Sequence, residues 1–278
     1  MFFVYGNYDN ENHPPSFDVS VEGTVVFSWT QDTWTENSNN DGAYSDLFAS
    51  IQDGDATICF YSIGTDAPVV GALELVQVDP FCYDRTLNQN VLMVNYGRFT
   101  GGNEPFGSGL SVDNDLAGRA WDADNEYTQS VAKKVILSTT LDIEGSNQAP
   151  DYFPTRLYQK CHTLDSQSVL QYLLPVDPRL DYMLWFHFAE IDPNISRPKE
   201  RVFDILVNDE AVFHYVDIFD KVGKFAAYDL QYIARNLSNA TLSIELRPQV
   251  GIPLICGVEN YALLHKDAST DHNDGMLL

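Results

Sequence analysis

The 278 residues carry 40 Asp and Glu against 16 Lys and Arg, a formal net charge of −24. A chain of that sign is repelled by nucleic-acid phosphates and by anionic membrane surfaces, which leaves neutral ligands and basic peptides as the partners its charge favours. Apolar residues make up 44%, with 15 Tyr and 16 Phe, enough for a sizeable core and weighted toward residues that suit pleated strands. No apolar run reaches the ~18 residues of a membrane span, and the opening MFFVYGNYDN has neither the basic nor the apolar region of a signal peptide.

In chain order, Phe2-Phe-Val4 reads as a short strand. In 17–21, Phe17, Val19 and Val21 alternate with Asp18 and Ser20, the period of a strand with one apolar face, and Glu22-Gly23 supplies a turn. Further strands are expected over 57–63 and 69–78. Residues 125–139 read as holding a helical turn or more. Strands then follow over 182–188, 203–207, 241–246 and 254–264, with a turn at Asn208-Asp209. The cysteines at 59, 82, 161 and 256 show no CxxC spacing, so zinc is not expected. Cys59 and Cys256 lie in apolar runs and read as buried free thiols, with no pairing assignable.

The chain repeats itself. Phe17-Asp-Val-Ser-Val-Glu-Gly23 matches Phe203-Asp-Ile-Leu-Val-Asn-Asp209 at an offset of 186. Ala56-Thr57-Ile58 matches Ala240-Thr241-Leu242 at 184, and Pro68-Val-Val-Gly-Ala-Leu-Glu74 matches Pro253-Leu-Ile-Cys-Gly-Val-Glu259 at 185. A repeat of this length is a whole domain. About ninety residues precede Phe186-His-Phe188 in the second copy, whereas its counterpart Phe2-Phe-Val4 stands at the start, so the first copy reads as lacking its front.

Leu157-Tyr-Gln159, Trp185-Phe-His-Phe-Ala-Glu-Ile191, Arg201-Val-Phe-Asp-Ile205, Asp217-Ile-Phe-Asp220 and Val222-Gly223, with Tyr5-Gly-Asn-Tyr-Asp9 in the first copy, resemble the malectin-like family. The plant members that join this domain to leucine-rich repeats and a membrane span are the most similar in pattern. The resemblance implies an all-β fold of two tandem, jelly-roll-like β-sandwiches, the first N-terminally truncated. The expected divisions are residues 1–80 for the first half, 81–90 for a linker, 91–265 for the second half and 266–278 for a disordered tail. It also implies an outward-facing place at the plant plasma membrane, through a span with no counterpart in this sequence. The implied activity is binding without catalysis or cofactor. The ligand would be an oligosaccharide or wall polysaccharide or, alternatively, a basic secreted peptide or co-receptor.

Sugar recognition needs flat aromatic faces beside carboxylates. In the second copy the loop Glu190-Ile191-Asp192-Pro193 has no aromatic, and Thr163 stands where the family has a sugar tyrosine. In the first copy Tyr8 and Asp9 keep an aromatic beside a carboxylate, and Phe106 with Trp121 and Asp122 forms a second candidate. The competing readings are that Tyr8 packs a turn and that Trp121 is a core ring with its N–H satisfied. The six histidines are scattered, no catalytic motif is present, and the Asp-rich stretches 113–115 and 122–124 fit no calcium loop, so neither catalytic nor metal residues are assigned. Three sequons begin at Asn194, Asn236 and Asn239 and would place carbohydrate on surface loops of a secreted chain.

Overall fold

The computed structural model describes residues 1–11, 13–30, 42–64, 66–79, 82–83, 90–110, 115–148 and 152–266. They form two compact units. Unit 1 comprises Met1–Leu75, Leu87–Val94 and Leu263–Leu278; unit 2 comprises Val76–Thr86 and Asn95–Ala262. The expected tail, apart from Lys266, lies outside the described residues. Of the expected linker, Cys82 and Tyr83 are buried, and Tyr83 belongs to unit 2.

In unit 1, β1 (Phe2–Phe3) pairs with β4 (Ala43–Tyr44), and β2 (Phe17–Val21) lies between β3 (Thr24–Trp29) and β6 (Ile58–Ser62). Strand β5 (Leu47–Phe48) pairs with Val94 and Met93 of β7 (Val91–Thr100). The alternation of 17–21 turns Phe17 and Val19 inward, where the Phe17 ring meets Phe3 at 5.6 Å and Trp29 at 5.9 Å. Phe3 stacks on Phe27 at 4.6 Å and meets Trp29 edge-on at 5.9 Å.

Unit 2 is a sandwich. One sheet has the order β12 (Leu170–Pro175), β17 (Thr241–Val250), β14 (Val202–Val207), β15 (Glu210–Val216). The other runs β16 (Ala227–Ala234), β13 (Asp181–Ala189), β19 (Gly257–His265), β7, β9 (Ala120–Ala123), β8 (Phe106–Gly107). Period two divides the work of β13. Phe186 and Phe188 meet Phe213 and Phe203 of the facing sheet, while Trp185 and His187 turn to the opposite side. A third sheet joins β10 (Lys134–Ser138), β11 (Lys160–Leu164) and β18 (Leu254–Ile255).

The repeat is visible in backbone pairing. Val19 opposes Phe27 and Ser20 opposes Val25; 186 residues later Ile205 opposes Phe213 and Leu206 opposes Ala211, with the register shift in the same place. Glu22 and Gly23 turn the first hairpin with positive φ of 52° and 78°, and Asn208 and Asp209 turn the second at 48° and 66°, as two-residue hairpins require. Strand β6 pairs with β2 through Val21–Ile58, and β17 pairs with β14 through Val207–Ile244. The offset is therefore 186 here as well, which corrects the 184 taken from Ala56-Thr57-Ile58. The turn side chains confirm it: Glu22 accepts the Thr57 N–H at 2.8 Å, and Asn208 accepts the Ser243 N–H at 2.9 Å.

Other expectations are revised. Residues 69–78 form no strand. The segment is mostly exposed and meets β1 at Phe2, which bridges Ala72 and also accepts the Gly71 N–H. Residues 125–139 hold one 3-10 turn, Asp124–Glu126, and then strand β10, because the apolar Val135, Ile136 and Leu137 pair with β11. Leu157-Tyr-Gln159 closes a short helix, α1 (Thr155–Tyr158). Cys256 is no free thiol but is disulfide-bonded to Cys161, while Cys59 is free and half-buried.

Candidate ligand-binding site

The loop after β1 holds the first pair of candidates. Tyr5 is buried and its hydroxyl donates to Asp9 Oδ1 at 2.5 Å and to Asn7 Oδ1 at 3.2 Å. The same Asp9 oxygen accepts the Glu11 N–H at 3.2 Å. Asn7 and Asn10 take left-handed φ of 53° and 61°, which Asn tolerates better than most residues, and Asn10 N–H closes the turn on Asn7 O at 3.3 Å. Burial and the bond to Asp9 push the Tyr5 hydroxyl up to about 12, and the same hydrogen bond holds Asp9 below its ordinary value. Asp9 is thus a fixed, charged, half-buried carboxylate. Beside it Tyr8 meets Tyr5 edge-on at 5.7 Å and is 61% exposed. An exposed ring next to a held carboxylate can stack on an apolar sugar face and accept its hydroxyls, or take a cationic side chain.

The second pair is placed otherwise. Trp121 is 0% exposed and Phe106 1%; the two rings stack at 5.9 Å inside unit 2. Trp121 Nε1 donates to Asp115 Oδ2 at 2.8 Å. These rings offer no face to a ligand, which corrects the expectation of a stacking platform: the hydrogen bond to Asp115 satisfies the indole and lets it sit in the core. Asp122 is exposed on β9. The spacing Asp115, Arg119, Trp121 was the available signal, since one carboxylate serves both the guanidinium at 2.7 Å and the indole.

Sequence reasoning missed what surrounds these rings. Glu259 on β19 accepts from Arg98 Nε at 3.1 Å and Tyr83 OH at 2.7 Å, contacts His187 Nε2 at 3.3 Å, and also binds Tyr261 OH. His187 Nδ1 meets Asp229 at 2.9 Å, and Asp229 also accepts from Tyr158 at 2.8 Å. Arg119 Nη1 donates to Tyr83 OH at 3.0 Å, and its guanidinium lies 4.6 Å over Phe153. Arg98, Arg119, His187 and Glu259 are fully buried. Burial opposes the charged form of Glu259, yet the His187 hydrogen bond and the guanidinium groups of Arg119 and Arg98 hold it down at about 2. Burial likewise opposes charging His187, but Asp229 and Glu259 raise it to about 9. Three cations therefore face three carboxylates, those of Glu259, Asp115 and Asp229. This cluster braces the sandwich and reaches solvent only at Asp229, whose side chain is 12% exposed.

In the second copy, the place of the sugar loop is taken by a clamp. Arg201 donates to Glu190 at 2.9 Å, to Asp192 at 2.7 Å and to Ile252 O at 2.5 Å. Thr163 Oγ1 donates to Pro253 O at 2.8 Å and is buried. Both groups are spent on the fold. Asn194, Asn236 and Asn239 are all exposed. Secretion from a glycosylating host should therefore add mass that an N-glycosidase removes, and Asn→Gln at each position should remove one step of it. Among the described residues no His, Cys, Asp and Glu cluster could hold a metal, and no helix is long and apolar enough to cross a membrane.

Together these features define an all-β sandwich module whose Trp121 and Phe106 rings in unit 2 are sealed inside and whose ring–carboxylate pair in unit 1 stands in a loop. The chain belongs to the malectin-like family: residues 1–263 match the malectin-like domain. It is similar to Receptor-like protein 4 of Arabidopsis thaliana, 32% identical over 260 residues, which covers 90% of this chain and 40% of that relative's length. The fold is that of the ANXUR1 extracellular domain from Arabidopsis thaliana, with a TM-score of 0.72 at 15% identity over 91% of this chain and 74% of that one. It also matches a chain in the crystal structure of the plant peptide RALF23 in complex with FER and LLG2, with a TM-score of 0.65 at 15% identity over 90% of this chain and 74% of that one.

Proposed function

We propose that this chain is a non-enzymatic, outward-facing recognition module of a plant receptor-like protein, and that its ligand is a basic peptide or the basic face of a co-receptor. The carrying observation is the net charge of −24 on a fold whose buried cations are already matched by carboxylates, which leaves the excess acid on the exterior. Burial of Trp121 and Phe106 removes one of the two sugar platforms. The solved complex of a related fold with the plant peptide RALF23 supports the same reading. The buried Cys161–Cys256 disulfide and three exposed sequons support an oxidising, extracellular setting.

A second reading keeps the exposed Tyr8 and the held Asp9 as a site for an oligosaccharide or wall glycan. Salt separates the two. Surface charges lose reach as the screening length contracts from about 14 Å at ~50 mM to about 6 Å at ~300 mM salt. Affinity for a Lys-rich peptide, followed by calorimetry, should weaken on the order of tenfold or more across that range. A glucose oligomer that binds with no salt dependence, and is lost in Tyr8→Ala, would overturn the peptide reading in favour of the sugar.

A further inference from the structure

The two copies build the same hairpin with one difference. In the first, Phe17 opposes Trp29 and Val19 opposes Phe27, so a single residue, Ser28, stands between the two partners on β3. In the second, Phe203 opposes Val216 and Ile205 opposes Phe213, so two residues, His214 and Tyr215, stand there on β15. The second copy therefore carries one inserted residue, a β-bulge that the first copy lacks at this point. Phe213 faces inward, where it meets Phe186, and Val216 is buried, whereas His214 and Tyr215 are both exposed. Tyr215 is 72% exposed, and its φ of 52° is a left-handed conformation that favours Gly or Asn over a bulky ring. A carboxylate common to both copies holds each hairpin. Asp18 accepts the Ser28 hydroxyl at 2.6 Å. Its counterpart Asp204 accepts the Tyr215 N–H at 2.8 Å on one oxygen and the Gln249 amide at 2.9 Å on the other. Arg247 opposes Asp204 in the ladder, yet its guanidinium turns to Glu245 at 2.7 Å. Asp204 thus enters no ion pair among the described residues.

We propose that Tyr215 and Asp204 form a seat for an arginine side chain of a basic peptide. An inserted residue in a costly backbone conformation, with its ring mostly in water, serves the outside of the molecule rather than its core. A guanidinium stacks on a tyrosine face and bonds a carboxylate at the same time, which an ammonium does less well. Each Asp204 oxygen keeps a lone pair after accepting one N–H. The charge around the ring agrees, since residues 202–220 hold five Asp and Glu and no Lys or Arg. A sugar fits this face less well, because the groups that would read its hydroxyls are engaged with one another. Gln171 bonds Ser243 and Glu245, Arg247 bonds Glu245, and Gln249 bonds Asp204. What remains unmatched is a negative charge beside an open ring. This deepens the basic-peptide reading and rests on it.

The test uses the full chain and two peptides of equal charge, GRGRGRG and GKGKGKG, followed by calorimetry. Equal charge cancels the general attraction of an acidic surface and leaves the stacking of the guanidinium. We expect the arginine peptide to bind about tenfold tighter than the lysine peptide. Tyr215→Gly should abolish that preference, and Tyr215→Phe, which keeps the ring, should retain it. Glycine suits the left-handed backbone, so Tyr215→Gly should unfold at a urea concentration no lower than wild type. A lower midpoint would show that the ring braces the fold and would overturn its assignment to binding. Equal binding of the two peptides by wild type, or a preference that survives Tyr215→Gly, overturns the seat and leaves the basic-peptide reading standing. If neither peptide binds, the underlying reading is what has failed. A glucose oligomer that binds wild type and is lost in Tyr215→Gly would make the ring a sugar platform and overturn the arginine. The comparison of the two peptides on wild type decides the question even if a variant does not fold.

Discussion

Glu259→Gln is expected to lower the unfolding free energy by about 3–5 kcal/mol, the range for removing one partner of a buried ion cluster. The carboxylate serves Arg98, Tyr83, Tyr261 and His187 at once, and every one of these side chains is buried. A neutral amide has the same shape, but it replaces one acceptor oxygen with a donor among neighbours that are mainly donors. It also leaves Arg98 and the protonated His187 without their shared counter-charge, far from water. The measurement is a urea melt of wild type and variant followed by tryptophan fluorescence. Asp142→Asn, an exposed acidic position, serves as the control and should stay within about 0.5 kcal/mol. A loss below about 1 kcal/mol for Glu259→Gln would mean that the charges are compensated from elsewhere, and the account of a sealed, balanced cluster would be wrong.

The cluster also shows where sequence reading stops. Its members come from positions as far apart as Tyr83 and Tyr261, and no local spacing announces a bond between Arg98 and Glu259, 161 residues apart. The disulfide was hidden for the same reason, with its two cysteines 95 residues apart. What was legible is what depends on local period and turn chemistry. The strands at 17–21, 182–188, 203–207 and 241–246 alternate apolar with polar residues, or are nearly all apolar in the buried β13, and the two hairpin turns carry their own residue signals. Residues 69–78 have strand composition but too few backbone partners, because pairing rather than propensity makes a strand. The repeat was legible as a repeat but slipped by two residues at Ala56-Thr57, where side-chain likeness was followed; the side chains that hold the register are Glu22 and Asn208, alike in accepting an N–H and unlike in name. At the candidate site the exposed Tyr8 beside Asp9 could be named from the sequence. Trp121 is the buried ring of the competing reading, and the acceptor that its indole needs is Asp115 Oδ2.

The pH dependence of stability should carry the mark of His187. Its ring is raised from an ordinary 6.5 to about 9, so its contribution is complete below about 6.5 and is lost as pH rises through 9. Glu259 is held at about 2 against an ordinary 4.5, so its contribution is complete above about 4.5 and is lost as pH falls through 2. Both are whole together between about pH 4.5 and 6.5, and the melting temperature should plateau there. On the alkaline side, a shift of that size is worth about 3 kcal/mol by linkage, as an order of magnitude. The decline should begin near neutrality. Buried Tyr83 and Tyr172, both raised well above 10 by burial, lose their contribution only above the ordinary tyrosine range and leave the limb between 6.5 and 9 to the histidine. His187→Gln should be less stable than wild type at pH 6 and should flatten that limb, since its side chain no longer exchanges a proton between Asp229 and Glu259. Thermal melts at pH 5 through 9 decide it. A wild-type curve flat from 6.5 to 9 would show that the ring is neutral in the folded chain, leaving two cations against three carboxylates in the core.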